Sequence, residues 1–170
     1  MANLQANLRS QYAVALEDPH RLLQSVNRLF YENTPEDRYA TLFFADYDDA
    51  SRCLRYANCG HNPPLLLRAN GELERLGVTA TVLGLFKNWK CAVEEVSLRP
   101  GDALLIYTDG VTEAPGLTDE EFGESRLLEI LRSNAQLPVE ALLSLIVAGV
   151  QEFSGASQAD DLTLLVAQAR

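Results

Sequence analysis

The feature that most constrains the fold is a run of apolar residues that ends in two acidic residues around a glycine. Residues 102–114 read Asp-Ala-Leu-Leu-Ile-Tyr-Thr-Asp-Gly-Val-Thr-Glu-Ala. A short continuous apolar run is typical of a strand covered on both faces. An aspartate at the end of such a strand, here Asp109, is well placed to hold a hard cation through oxygen. Gly110 allows the backbone to turn sharply or to approach a ligand closely.

The same stretch has a simpler interpretation, because an Asp-Gly pair is also a common turn between two elements. A second acidic segment, about fifty residues later, favours the metal-binding interpretation. Residues 160–166 read Asp-Asp-Leu-Thr-Leu-Leu-Val, an apolar strand entered through a pair of acids. Two strands of one sheet can bring Asp109 together with Asp160 or Asp161, and a metal site needs that convergence of oxygen ligands.

Length and charge exclude several classes of protein. A chain of 170 residues suits one domain with a single core. The formal net charge of −10 argues against nonspecific binding to nucleic acid or to an anionic membrane surface. No apolar run approaches the ~20 residues of a membrane helix, and the first residues lack the features of a signal peptide. Three cysteines without a C-x-x-C spacing are expected to be reduced thiols, which indicates a cytoplasmic protein.

Apolar periodicity predicts helices near both ends of the chain. Apolar residues at intervals of four are typical of one helix face. In the first sixteen residues this stripe consists of Leu4, Leu8, Tyr12 and Leu16. Asp18 and Pro19 predict the N-cap and first turn of a second helix that ends near Asn33. Helical spacing returns over Ser125–Arg132 and Val139–Phe153.

The residues between these helices predict a run of strands. Residues 39–46 and 52–58 are rich in β-formers and predict one hairpin, and Asn70-Gly71 predicts the turn of another. Further strands are predicted over 79–83, 91–98, 102–107 and 162–167. Runs of strands and runs of helices indicate an α+β sandwich over residues 1–170, with helices covering mostly antiparallel sheets.

The chemistry of the candidate ligands favours Mg²⁺ or Mn²⁺ over zinc, copper or iron. The two histidines, His20 and His61, lie in different contexts, and the cysteines lack a metal-binding spacing. His61 follows a predicted strand in the turn Asn-Cys-Gly-His-Asn-Pro-Pro. Taken alone, this histidine favours a hydrogen-bonded structural role rather than general acid catalysis.

Four blocks occur in order along nearly the whole chain. They read Tyr-Ala-Asn-Cys-Gly-His-Asn-Pro-Pro-Leu-Leu-Leu, Leu-Arg-Pro-Gly-Asp-Ala-Leu-Leu-Ile-Tyr-Thr-Asp-Gly-Val-Thr-Glu-Ala, Phe-Gly-Glu-Ser-Arg-Leu and Asp-Asp-Leu-Thr-Leu-Leu-Val. This combination resembles the SpoIIE/RsbU-like branch of the metal-dependent PPM (protein phosphatase 2C-like) serine/threonine phosphatases. The resemblance implies an α-β-β-α sandwich that hydrolyses phosphoserine or phosphothreonine on a protein, typically an anti-anti-sigma factor of the STAS type. The implied nucleophile is a water that bridges two Mn²⁺ or Mg²⁺ ions.

The resemblance also implies roles for individual residues. Asp109 and Asp160 match the metal-binding aspartates of the family. Gly110 and Asp161 rank behind them, since many relatives carry Asn at the position of Asp161. A motif implied to be mainly structural, holding a loop near the site, consists of Gly60, His61 and Asn62. The resemblance implies no catalytic side chain beyond the metal-bound water.

The chain also departs from the family pattern. Relatives carry a Gly-Gly-Asp segment and an Asp-x-Ser-Gly-Lys-Gly segment upstream, and neither is present here. The sequence therefore resembles a phosphatase domain without its first strands and about half of its metal ligands. We expect weak metal binding and little or no activity from the chain by itself. The sheet edge left open is expected to pair with a second copy or to be covered by the N-terminal helices.

These observations support two functions. The first is a Mn²⁺- or Mg²⁺-dependent phosphoprotein phosphatase, favoured by acids at the ends of both strands. The second is a non-catalytic module that binds a STAS-like or kinase-like partner in a partner-switching pathway. The lack of the upstream acids favours it only if this chain is the complete natural protein. A third interpretation, a structural α+β domain whose Asp-Gly and Asp-Asp pairs are turns, conflicts with the agreement of four blocks.

Overall fold

A computed structural model describes residues 4–6, 8–9, 18–35, 38–116, 120–155 and 161–170. Residues 4–6 and 8–9 are helical. The other helices are α1 (Pro19–Asn33), α2 (Asp109–Thr112), α3 (Gly123–Ser133) and α4 (Val139–Ser154). The strands are β1 (Leu42–Asp48), β2 (Cys53–Cys59), β3 (Leu65–Leu67), β4 (Leu73–Arg75), β5 (Glu94–Ser97), β6 (Ala103–Tyr107) and β7 (Leu164–Gln168). No described helix is long and apolar enough to cross a lipid bilayer.

The described residues fall into two compact units. The first consists of residues up to His61 together with Gly77–Ser97, and its sheet has the strand order β1-β2-β5. The second consists of Asn62–Leu76 and Leu98–Arg170, and its sheet has the order β4-β3-β6-β7. Every pairing of named strands is antiparallel, which confirms the predicted α+β class.

Each unit has its own apolar core. In the first unit, α1 begins as its sequence predicts, because the side chain of Asp18 accepts the backbone N–H of Arg21 at 3.2 Å. The buried residues of α1 are Pro19, Leu22, Leu23, Val26, Asn27 and Phe30. In the second unit, one face of β3, β6 and β7 packs with α3 and α4. That core includes Leu105, Leu127 and Ile146, all fully buried.

Most predicted elements are confirmed, and one strand is wrong. The two hairpins form as β1–β2 and β3–β4, although β1 begins three residues later than predicted. The predicted strand over residues 79–83 is reduced to isolated bridges at Ala80 and Leu83. The N–H groups of Thr79 and Ala80 both donate to the carbonyl of Asn58, so a regular ladder cannot continue there. Tyr12 and Leu16 of the first predicted helix lie outside the described residues.

A buried aspartate at the start of β6 ties two loops of the second unit together. Asp102 accepts the backbone N–H groups of Arg99 and Ala69, each at 3.0 Å, and the guanidinium of Arg68 at 2.7 Å. Burial raises the pKa of Asp102, but the Arg99 amide and the Arg68 side chain outweigh it and lower that pKa below its ordinary value. The carboxylate therefore stays charged and connects the β3–β4 hairpin to the turn before β6.

We expect Asp102→Asn to lower the free energy of unfolding by about 3 kcal/mol, because it leaves the Arg68 guanidinium without its buried partner. The pKa of Asp102 is depressed in the folded protein, so its stabilisation is present above the ordinary value of about 4 and is lost as pH falls through the folded-state value. Urea unfolding at pH 7 and near pH 3 measures both effects. Glu120→Gln, which removes an exposed partner of Arg126, should change stability by less than about 1 kcal/mol.

Candidate metal centre

Strand β6 fixes the position of Asp109. It lies between β3 and β7, with Leu105 paired to Leu65 on one side and to Val166 on the other. The strand ends at Tyr107, and α2 begins at Asp109. The backbone that carries Asp109 is therefore held by hydrogen bonds to two neighbouring strands.

Gly110 is the buried second residue of α2. It follows Asp109 directly, where the chain passes from β6 into this short helix. Its N–H donates to Oδ1 of Asp109 at 3.0 Å, which uses one carboxylate oxygen within the short helix. Oδ2 has no hydrogen bond among the described residues, and the residue is exposed to solvent. Asp109 therefore keeps an oxygen available to a ligand.

The pairing of β6 with β7 continues one residue beyond the strands. After Tyr107 pairs with Leu164, the N–H of Thr108 donates to the carbonyl of Thr163 at 3.1 Å. The N–H of Thr163 in turn donates to the Thr108 hydroxyl at 3.1 Å, and that hydroxyl lies 3.4 Å from the carbonyl of Asp161. The structure thus brings Asp109 and Asp161 to the same end of the β6–β7 pair. Asp160 lies outside the described residues.

The donors at this end are carboxylate oxygens, which suit Mg²⁺ or Mn²⁺. Asp109 and Asp161 are both exposed, so water and ions can reach them. Within the described ranges, no group of three His, Cys, Asp or Glu side chains lies close enough to hold a metal ion. The described carboxylates at this end therefore do not form a complete metal site by themselves.

The motif of Gly60, His61 and Asn62 begins in a turn closed by Asn58. The buried Asn58 side chain accepts the N–H of His61 at 2.9 Å. Gly60 has φ of +74°, and a Cβ there would lie 2.7 Å from Cγ1 of Val82. His61 and Gly60 belong to the first unit, and Asn62 begins the second. These contacts give the turn a fixed shape, and its predicted place beside a catalytic site stays a prediction.

Comparison with known proteins identifies the family. A model of the family described as Stage II sporulation protein E (SpoIIE) matches residues 1–170. The chain belongs to the SpoIIE family. Protein IcfG of Synechocystis, a similar protein, is 35% identical over 127 residues, which are 75% of this chain and 20% of IcfG. Phosphoserine phosphatase RsbU of Bacillus subtilis is 26% identical over 152 residues, which are 87% of this chain and 44% of RsbU. The chain thus spans less than half the length of these relatives.

Solved structures confirm the fold expected for a SpoIIE-family chain. The SiaA PP2C domain of Pseudomonas aeruginosa matches with a TM-score of 0.86 at 22% identity, over 99% of this chain and 68% of that one. The catalytic domain of the serine/threonine phosphatase PstP, solved with two manganese ions, matches with a TM-score of 0.67 at 16% identity. That match covers 97% of this chain and 80% of the PstP chain. The PPM-phosphatase-like fold implied by the four sequence blocks is therefore confirmed.

The residue that sequence reasoning missed is Thr108. It stands directly before the Asp-Gly pair, and its polar character at the end of an apolar run was the available signal. Its hydroxyl accepts the N–H of Thr163 and lies 3.4 Å from the carbonyl of Asp161, and both residues belong to the segment just before β7. Thr108 therefore positions the two acidic segments without being an acid itself.

We expect Thr108→Val, which keeps the side-chain size, to lower the free energy of unfolding by about 1 kcal/mol through the lost hydrogen bonds. The Thr163 amide should also exchange its hydrogen faster, because its acceptor is gone. Thr112→Val is the matched control, since that hydroxyl donates only to the carbonyl of Asp109 within α2. Unchanged exchange at Thr163 in the Thr108 variant would contradict the assigned role.

Proposed function

We propose that this chain is part of a PPM-type phosphatase domain that hydrolyses phosphoserine or phosphothreonine on a signalling protein. The observation that carries the proposal is the extended β6–β7 pairing, which places Asp109 beside the segment that begins β7. Membership of the SpoIIE family supports the reaction class, because its relative RsbU is named a phosphoserine phosphatase.

The proposed metal ligands are Asp109 and Asp160, with Asp161 and the backbone of Gly110 as secondary candidates. The donor set fits Mn²⁺ or Mg²⁺, since the described acids at this end offer only oxygen. Such an ion, when bound, lowers the pKa of a coordinated water and offsets the negative charge of a phosphoryl group. We expect weak binding by this chain because two or three carboxylates carry less charge than a complete site.

The residues of the chain itself would orient and expose this site. The pairing of β6 with β7 fixes the position of the backbone that leads into Asp109. The Thr108 hydroxyl contacts the carbonyl of Asp161 and so holds the backbone of Asp161 close to Thr108. The N–H of Gly110 orients the Asp109 carboxylate by donating to Oδ1, and Asp109 is exposed to solvent. A phosphorylated side chain on another protein can reach carboxylates placed in this way.

The substrate class is also a proposal. We propose a phosphorylated STAS-type anti-anti-sigma factor in the cytoplasm, acting in partner switching. The similarity to RsbU and to RsbP, both named phosphoserine phosphatases of Bacillus subtilis, supports phosphoserine as the group removed. The net charge of −10 disfavours nucleic acid and anionic membranes as partners.

We also propose, as the alternative, a non-catalytic module that only binds a partner and needs no complete metal site. The described residues, which do not include the proposed ligand Asp160, contain no group of three metal-binding side chains. This alternative keeps the SpoIIE-family fold and the partner class but removes the reaction. A measurement of Mn²⁺ binding distinguishes the two proposals, because only the phosphatase requires the metal ion.

We also propose a homodimer through β7. This strand lies at the edge of its sheet, with no described strand on its outer side, and Leu165 is 51% exposed. Unpaired edges favour pairing with a second chain. Leu165→Lys should favour the monomer, and light scattering that finds only monomer for the unaltered chain at high concentration would contradict the dimer.

We expect Asp109→Asn to weaken Mn²⁺ binding at least about tenfold, because the site loses one of its few charged ligands. Electron paramagnetic resonance of free Mn²⁺ measures the affinity, and Mn²⁺-dependent phosphate release from a phosphoserine peptide measures the reaction. Asp49→Asn makes the same charge change in the exposed β1–β2 turn and should leave both unchanged.

The outcomes of this experiment separate the two functions. The phosphatase is supported if Asp109→Asn loses Mn²⁺ binding and any Mn²⁺-dependent rate while the control Asp49→Asn keeps both. An unaltered chain that binds no Mn²⁺ favours the binding module. Equal Mn²⁺ affinity in Asp109→Asn and in the unaltered chain would remove the metal role of Asp109.

A further inference from the structure

A cavity with a basic lining lies within the first unit, between α1 and the loop of residues 84–90. Its volume is about 450 Å³. Three of its lining residues are cationic, namely Arg21, Arg28 and Lys87, and no lining residue is acidic. Gln24, Ser25 and Asn88 add polar groups. These six residues define the basic cavity.

The positive charge of the basic cavity is unusual in this chain. The whole sequence has 14 basic residues against 24 acidic ones. Arg21 forms an exposed ion pair with Asp18 at 3.3 Å, which neutralises part of its charge. No described carboxylate forms an ion pair with Arg28 or Lys87. Both side chains are exposed and are therefore available to an external anion.

Buried hydrogen bonds hold the walls of the basic cavity together. Asn27, which is 1% exposed, donates to the carbonyl of Phe86 at 3.1 Å and accepts the N–H of Gly84 at 2.9 Å. The indole N–H of Trp89 donates to the carbonyl of Thr81 at 2.9 Å. The loop is thus fixed against α1 before any ligand arrives. Such preorganisation lowers the entropy cost of binding.

The backbone of this loop also depends on a close approach to α1. Gly84 has φ of +85°, and a Cβ at this position would lie 2.5 Å from the Phe30 ring. Only glycine combines that conformation with that contact. The loop therefore reaches its position through packing on Phe30 as well as through Asn27.

The lining chemistry limits the class of ligand. Guanidinium and ammonium groups suit carboxylate or phosphate oxygens. Leu85 and Phe86 directly precede Lys87 and are 46% and 52% exposed, so two apolar side chains are exposed on the loop that carries Lys87. Trp89 is only 5% exposed and offers no open ring face for a nucleobase. A long polyanion or an anionic membrane would meet the repulsion of the acidic chain.

We infer that the basic cavity binds a short acidic segment of a partner protein, with an apolar residue of that segment against Leu85 and Phe86. The acidic side chains contact Arg28 and Lys87. The segment is short because the net charge of −10 on the whole chain disfavours a longer acidic run. This binding is independent of the candidate metal centre and of the reaction proposed for it.

The test uses Trp89 as a built-in reporter, since it is the only tryptophan of the chain. The probe is a capped peptide in which glutamates flank one leucine, and its counterpart has glutamine in place of every glutamate. Tryptophan fluorescence and titration calorimetry at low salt measure binding. The acidic peptide should bind saturably and weaken as salt rises, and the glutamine peptide should bind at least about tenfold more weakly.

Two variants locate the binding. The double change Arg28→Gln and Lys87→Gln should weaken the acidic peptide about tenfold, since two exposed charge contacts are lost. Arg132→Gln with Arg170→Gln removes the same charge from exposed positions of the second unit and should leave binding unchanged. Phe86→Ser should weaken the leucine-containing peptide but not an all-glutamate peptide. Circular dichroism should show all three variants folded.

Other outcomes would overturn the inference. If the Arg28 and Lys87 double variant and the control variant bound the acidic peptide with equal affinity, the peptide would bind outside the basic cavity. Pyrophosphate that binds as tightly as the peptide would indicate a site for a free anion rather than for a protein segment. Absence of binding by both fluorescence and calorimetry would remove the site.

Discussion

The antiparallel pairing of β6 with β7 is the interaction on which both the core of the second unit and the candidate metal centre depend. Its register places Leu164 and Val166 against the apolar core formed with α3 and α4. A slip of one residue would turn these side chains to the opposite face, so the core enforces the register. The same register sets Thr163 opposite Thr108, and thereby sets the distance between two acidic segments. The apolar packing of β7 thus also fixes how the segment with Asp161 lies relative to Thr108 and Asp109.

Two aspartates at opposite ends of β6 differ in burial and in hydrogen bonding. Asp102 is buried, accepts three hydrogen bonds and stabilises the loops around it. Asp109 is exposed and uses one oxygen in a local contact with Gly110. A fully bonded carboxylate has little capacity left for a metal ion, whereas a half-bonded and exposed one retains it. The proposal therefore rests on Asp109 and not on the more strongly held Asp102.

Local signals in the sequence account for much of the fold. The N-cap at Asp18 and the Asn70-Gly71 turn predict α1 and the second hairpin, because both depend on residues next to one another. The meeting of Asp109 with the start of β7 could also be predicted, because one apolar strand ends just before Asp109 and another begins just after the pair Asp160-Asp161. Long-range contacts could not be predicted in this way. The Asp102 network, the Thr108 hydroxyl bonds and the Asn27 link to the loop at Phe86 join residues far apart in the chain.

The most direct test of the central claim is paramagnetic broadening of amide signals by Mn²⁺ in a nitrogen-15 NMR spectrum. Convergence of Asp109 and Asp160 on one ion predicts that the amides of Gly110 and of residues 161–163 broaden first and together. The amides of β1 and β4 should keep their intensity at the same Mn²⁺ concentration. Broadening confined to one of the two acidic segments, or centred on another part of the chain, would contradict the shared site.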